Sequence, residues 1–307
     1  MPASTFLPTF SVCILTCDHP EGLQRALRAV AESTMPPHQL IVTDDSSGYA
    51  TRELMRRDHP DITYLEGPRR CRAASRNRAL RAVTGSHVLF LDDQTLLGPT
   101  FLQQMAECFA DNHIRHATVG CATPLILTGI DMCRQSRTHP RKASFLGHST
   151  LDYHHGDRLC SVVLHSTVFP RSLFDCAGFD EHLAPGYDAI DLASRAVHEL
   201  GYRIQLITSA INAVASRAPD EQATHHAASR LYVTFRRYRH GERRRTKAAA
   251  YLALALLDVL AHDVRHAGWR GTTSSWTTAR DLWALLHAAK DEAQDVSITA
   301  RLPGSTV

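Results

Sequence analysis

The apolar run VLFL at residues 88–91 ends on two adjacent carboxylates, Asp92 and Asp93, followed by an amide, Gln94. The same signature occurs twice upstream: LIVT ends on Asp44 and Asp45, and FSVCILT ends on Thr16 with Asp18 two positions further on. Carboxylates at the ends of neighbouring strands can converge on one crevice. There they accept hydrogen bonds from hydroxyls, bind a hard cation or move a proton. Spacing alone serves a sugar-nucleotide site, a magnesium site and a hydrolase equally well. Nineteen histidines add imidazole chemistry, with His154-His155, His165 and His225-His226 as candidates for metal ligation or proton transfer. No HExxH or comparable spacing marks a zinc site.

The elements that must position these groups alternate. FSVCILT (10–16) reads as a strand, and Leu23, Leu27, Val30 and Ala31 then recur at helical spacing until Pro36-Pro37. A strand from 40 to 45, a helix near 51–58, a strand at 62–67, a helix over 69–85 closed by Gly85 and the strand HVLFLDD follow. This order predicts a mainly parallel α/β sheet with ligands beyond the carboxyl ends of its strands. From 115 to 170 the pattern loosens, with a strand expected over SVVLHSTVF (161–169). A helix over 189–201 and YRIQLI (202–207), the expected last strand of the core, complete the domain. Beyond a boundary near 215 the chain reads as helical: a domain over 1–215 is followed by a helical region over 216–307. In that region AAAYLALALLDVLA (248–261) reads as a buried or membrane-apposed helix and GWRGTTSS as a linker. Trp276, Ala279, Trp283 and Leu286 form a packing stripe.

Composition excludes several classes. Of 307 residues, 44% are hydrophobic and 21% charged, which fits a folded soluble protein and neither a disordered nor a fibrous chain. A net charge of +3 is too small to mark a nucleic-acid binder. The eight cysteines form no CxxC pair and are expected to be reduced and mostly buried. No basic region precedes the first apolar stretch, and the run at 248–261 is too short to cross a bilayer, so the expected location is cytoplasmic.

Five blocks in order, SVCILTCDHPEGLQRAL, LIVTDDSSGYATRE, AASRNRALRAVTGSHVLFLDDQTLLGPTFL, VVLHSTVFPRSLFDCAGFDEHL and DLASRAVHELGYRI, resemble the family 2 glycosyltransferases of the GT-A fold over residues 10–207. The resemblance implies a nucleotide-diphosphate-sugar donor and inverting transfer to an acceptor. By position it implies that Thr16 and Asp18 line the nucleotide pocket, that Asp45 hydrogen-bonds the base, and that Asp44 supports the turn, with N-cap chemistry an equal reading for Asp44 and Ser46. Arg76 and Asn77 match a block beside the donor, or solvate a helix face.

VLFLDDQT occupies the place of the family's DXD motif, so that Asp92 matches its first acid, Asp93 its middle position and Gln94 its second acid. An amide is a weaker ligand than a carboxylate for magnesium or manganese. Either Asp93, with Gln94 nearby, still holds a divalent cation, or basic side chains neutralise the diphosphate. Counting back from Asp191 and Arg195 in PGYDAIDLASR places Asp188 at the first acid of the family's acidic pair and Ala189 at the second, the usual base position. Asp188 is then the candidate base and Asp191 its fallback. Phe179, Asp180 and Glu181 are expected to organise the loop that faces the acceptor.

The basic run RRYRHGERRRTK (236–247) is a solvated helix or a peripheral contact with an acidic membrane, and the C-terminal helices could form a homodimer seam. Two further functions compete: a non-catalytic nucleotide- or partner-binding module, and a nucleotidyltransferase. The second is disfavoured because its phosphate loop would be TCDHPEG, with one glycine.

Overall fold

In the computed structural model, which describes residues 7–119, 123–215 and 223–299, the sequence FSVCILT forms strand β1 (Phe10–Thr16), buried along its whole length. A continuous apolar run of this kind suits a central strand covered on both faces. The remaining elements are α1 (Pro20–Ala31), β2 (Gln39–Asp44), α2 (Ala50–Asp58), β3 (Thr63–Glu66), α3 (Arg72–Leu80), β4 (His87–Asp92), β5 (Thr95–Leu96), α4 (Phe101–Val119), β6 (Leu125–Cys133) and β7 (Ser136–Thr138). They continue with the short strands β8 (Lys142–Ala143) and β9 (Ser149–Leu151), then β10 (Thr167–Pro170), α5 (Tyr187–His198), β11 (Arg203–Val214), α6 (Ala223–Arg236), α7 (Arg245–Ala267) and α8 (Gly271–Thr299).

The main sheet runs β3-β2-β1-β4-β10-β6-β11-β5, with β7 beside β6. β1 pairs in parallel with both β2 and β4, and the register sets Thr16 opposite Asp44 and Leu15 opposite Asp92. All three acidic strand ends therefore leave the sheet at one level. β10 is antiparallel to both its neighbours. Successive side chains of β1 enter opposite cores. Phe10, Val12 and Ile14 join Leu23, Leu27, Phe101 and Met105 on one face, while Cys13 and Leu15 join Phe90, Phe169, Leu192 and Val197 on the other.

Several local expectations are corrected. SVVLHSTVF is not a strand throughout: a 3₁₀ turn, Leu164–Ser166, precedes β10. Ser166 Oγ donates to Ile130 O and to Asp131 Oδ1, at 3.1 and 2.6 Å, and Thr167 Oγ1 donates to Val163 O at 2.5 Å. Such side-chain bonds compete with a ladder. β11 runs on to Val214 through a register shift between Leu206 and Ile211. GWRGTTSS is no linker, because it folds as a 3₁₀ turn and the start of α8. Of the cysteines expected to be buried, Cys13 is, whereas Cys17 and Cys176 are exposed.

The chain divides into two units. The first, Met1–Lys142 with Ser149–Glu181 and Asp188–Pro219, holds the main sheet. The second, Ala143–His148 with His182–Tyr187 and Asp220–Val307, is helical, with Leu231, Tyr238, Tyr251, Ala255 and Leu282 buried within it. Trp276 and Trp283 do not pack as expected; they are 75% and 61% exposed, and their neighbours Thr278, Leu282 and Leu285 are buried instead. Among the described residues no helix is long and apolar enough to cross a membrane.

Candidate functional site

The loop after β1 and the loop after β2 are tied to each other. Asp18 stands in the left-handed region at φ 49°, its N–H donates to Ser46 Oγ at 2.7 Å, and its Oδ1 accepts from Ser47 N at 3.1 Å. Asp44 is spent on the fold: its Oδ1 accepts from Ser46 N at 2.9 Å, closing an Asx turn, and its Oδ2 accepts from Tyr64 Oη at 2.7 Å. Burial first, and then the bond to Asp44, push the Tyr64 hydroxyl up to about 12. Asp45 is half-buried, accepts from Arg69 N at 2.9 Å, and takes the Ser75 hydroxyl from α3.

The loop after β4 joins the same edge. Asp93 Oδ2 accepts from Thr16 Oγ1 at 2.9 Å and from Cys17 N at 3.4 Å, and its Oδ1 lies 3.3 Å from His19 Nδ1. Gln94 Nε2 lies 3.0 Å from the same ring nitrogen. Gly22 permits this approach, since a Cβ there would stand 2.1 Å from the His19 ring and 2.7 Å from Asp93 O.

Asp92 Oδ1 accepts from Gln94 N at 3.1 Å and from Thr95 Oγ1 at 2.6 Å, while Oδ2 lies 3.4 Å from His165 Nε2. Burial alone would raise the Asp92 pKa; His165, the Thr95 hydroxyl, Arg72 and the Gln94 N–H together outweigh it and hold the carboxyl below its ordinary value. The other nitrogen of His165 lies 3.8 Å from buried Asp131 at the end of β6. His165 thus stands between two carboxylates, placed there by the turn that precedes β10.

On the neighbouring elements Arg76 and Asp188 form a buried ion pair, with the Arg76 Cζ 5.4 Å from the Phe179 ring. Burial pulls the Arg76 pKa down, against the opposing pull of Asp188, and Asp92 is among the charges it feels. Asn77 pins the loop before α5: Nδ2 donates to Phe179 O and Glu181 Oε1 at 2.9 and 3.0 Å, and Oδ1 accepts from Phe179 N at 3.1 Å. Glu181 also pairs with Arg70. Asp191 is paired within its own helix, where Arg195 Nε donates to its Oδ2 at 2.6 Å while Arg195 Nη2 donates to Gly178 O. His225 and His226 lie on α6 of the second unit, where the His226 ring meets Tyr187 at 5.7 Å.

Two members of the cluster were missed by sequence reasoning, His19 and Asp131. Each had a signal: His19 follows Asp18 in the turn CDHPEG, and LILTGID repeats the apolar run that ends on an acid. For a divalent cation the donor set fits poorly. Both oxygens of Asp93 face protein partners, position 94 offers an amide, and among the described residues no group of three or more His, Cys, Asp or Glu side chains is placed to hold a metal ion.

A family model described as Glycosyl transferase family 2 matches residues 11–175. Over 128 residues the chain is 30% identical to validoxylamine A glucosyltransferase of Streptomyces hygroscopicus subsp. limoneus, a match that covers 39% of this chain and 28% of that protein. Among solved structures, S. aureus TarS 1-349 in complex with UDP-GlcNAc superposes with a TM-score of 0.60 at 14% identity, covering 90% of this chain and 81% of that one. Mannosyltransferase PcManGT from Pyrobaculum calidifontis in complex with GDP-Man and Mn2+ gives a TM-score of 0.51 at 18% identity, covering 97% and 82%. At these identities the structural likeness is one of fold. The longer TarS structure is covered over 43% of its length, so the chain spans less than half of the first relatives it matches.

Proposed function

The chain belongs to glycosyl transferase family 2, and on that premise we propose that it moves a sugar from a nucleoside-diphosphate donor to an acceptor hydroxyl or amine, with inversion at the anomeric carbon. One observation carries the reading: the register of β1, β2 and β4 and the bonds between their loops gather Thr16, Asp18, Asp45, Asp92 and Asp93 at a single sheet edge. In this reading Thr16, Asp18 and Asp45 line the nucleotide pocket, Asp44 holds the turn, and Asp92 and Asp93 face the ribose and diphosphate. Arg76 and Asn77 flank the donor. A uridine diphosphate donor is the working assignment, supported by the UDP-GlcNAc complex of a protein of the same fold.

In the proposed transfer the acceptor oxygen or nitrogen attacks the anomeric carbon, and the bond from that carbon to the diphosphate oxygen breaks. The electron pair leaves on the diphosphate, and the acceptor proton passes to a base. Asp188 is the proposed base, with Asp191 anchoring its helix. Because Arg76 occupies Asp188, the arginine must exchange that carboxylate for the diphosphate as the donor enters, so that both charges stay compensated. Arg72 supplies further positive charge near Asp92, and the His19 and His165 rings offer hydrogen-bonding nitrogens, in place of a well-formed cation site. The domain over 1–215 carries the chemistry.

The alanine at position 189 and the burial of Asp188 favour a second reading, a module that binds the donor without transferring it. Calorimetry of a nucleoside-diphosphate and nucleotide-sugar panel, with manganese, magnesium or chelator, is paired with transfer assays on the parent and Asp188→Asn. Donor binding with turnover that Asp188→Asn abolishes supports the transferase. Binding without turnover across a broad acceptor panel supports the module, turnover unchanged in Asp188→Asn removes Asp188 as base, and no binding of any nucleotide refutes both readings.

A further inference from the structure

The apolar run at 248–261 is only half used by the fold. Helix α7 carries two apolar stripes. Ala248, Tyr251, Ala255 and Val259 are buried, in a helix that contacts α6 and α8. Ala250, Ala253, Leu254, Leu257, Leu260 and Ala261 recur at spacings of three and four and are all exposed, with Leu254 and Leu257 at 53% and 61%. On α8, Trp276 and Trp283 stand seven residues apart and exposed. Surfaces of this kind mark interaction sites.

Charge selects the occupant. Arg243, Arg244 and Arg245 are exposed at the amino end of α7 and Arg265 near its carboxyl end, and the first turn of the helix contains no acid. Arginines at a helix amino terminus oppose the macrodipole, so helix stability does not account for them. A second copy fits poorly. Pairing two α7 stripes antiparallel sets Arg243–Arg245 beside Arg265 and His266, and pairing them parallel sets the arginines against themselves. An anionic lipid surface meets both features, since leucines and tryptophans enter the boundary between headgroups and acyl chains while arginines meet phosphates.

We propose that α7 and α8 bind the chain to an anionic membrane surface, with Leu254, Leu257 and Leu260 inserted and Arg243–Arg245 on the headgroup phosphates. This inference requires neither donor nor acceptor and stands apart from the transfer reaction. The full chain is sedimented with phosphatidylcholine vesicles, with and without phosphatidylglycerol. Binding is expected with phosphatidylglycerol only, and is weakened by salt. Arg243→Ala/Arg244→Ala/Arg245→Ala lowers the affinity roughly 100-fold, at about 1 kcal/mol per arginine near the surface. Leu254→Ser/Leu257→Ser/Leu260→Ser lowers it at least about tenfold. Neither variant changes the melting temperature, because the residues are exposed. Failure of the parent to bind anionic vesicles overturns the proposal, as does binding that both variants retain. A lipid-free dimer abolished by the leucine changes overturns it in favour of a second copy.

Discussion

Removing the carboxylate of Asp188 separates what the Arg76–Asp188 pair does for stability from what it does for chemistry. Both side chains are buried, at 6% and 2% exposure, and they form an ion pair. Asp188→Ala leaves a guanidinium in a low-dielectric site without that partner, which costs about 3–5 kcal/mol. For a domain of this size each kcal/mol lowers the melting temperature by about 2–4 °C, so the expected fall is roughly 6–20 °C. Replacing both partners with apolar groups is near neutral, because the desolvation of two charges is recovered. Arg76→Met/Asp188→Leu, with the methionine against the Phe179 ring that now faces the guanidinium, should therefore return to within about 1–2 kcal/mol of the parent. Urea denaturation of the parent, both singles and the double completes the cycle. Transfer assays on the same four proteins add the second axis: the double regains stability and still fails to transfer. A loss below about 1 kcal/mol in Asp188→Ala, or a double whose loss equals the sum of the singles, refutes the buried-pair reasoning.

Three further outcomes follow from the same geometry. Asp45→Asn removes the charge that Arg69 N and Ser75 hold in place, and nucleotide affinity measured by calorimetry should fall roughly 10- to 100-fold. Gly22→Ala drives a methyl into the His19 ring and Asp93 O, so urea denaturation should show a loss of about 1–3 kcal/mol. His87, buried with its ring 4.1 Å from that of Phe109, is pushed by burial from 6.5 to about 4. Its folded pKa lies below its unfolded one, so its contribution is intact above pH 6.5 and is lost as the pH falls through 4, about 3 kcal/mol in all. Denaturation of His87→Phe across that window should show a correspondingly shallower loss of stability on acidification.

The strand ends were legible because each reads as an apolar run stopped by an acid, a pattern set by local chemistry and by burial on both faces. Asp18, Asp45 and Asp93 could be named from it. The state of each acid was not legible. The turn of Asp44 with Ser46 and the pairing of Asp191 with Arg195 one helical turn on are local, whereas the capture of the second Asp44 oxygen by Tyr64, 20 residues away, depends on a side chain reaching across the fold. The turn at 164–166 was hidden for the same reason, since Ser166 bonds Asp131 from 35 residues away. Heptad spacing correctly set Trp276 and Trp283 on one face of a helix, but spacing does not say which face is covered. Polar Thr208 and Ser209 disguised the second half of β11, whose pairing with Ile130–Met132 resumes after the shift.

The insertion of β10 between β4 and β6 has a consequence for the chain while it is being made. β4 ends at Asp92 and its second partner begins only at Thr167, so roughly 75 residues must emerge before that edge is closed. At about 5–20 residues per second, β4 offers unpaired backbone groups for about 4–15 s. β6, although synthesised earlier than β10, cannot take its place in the sheet without it. The nascent chain therefore presents an apolar strand, VLFL, with one open edge during synthesis, a template for wrong pairing that early chaperone contact would need to shield.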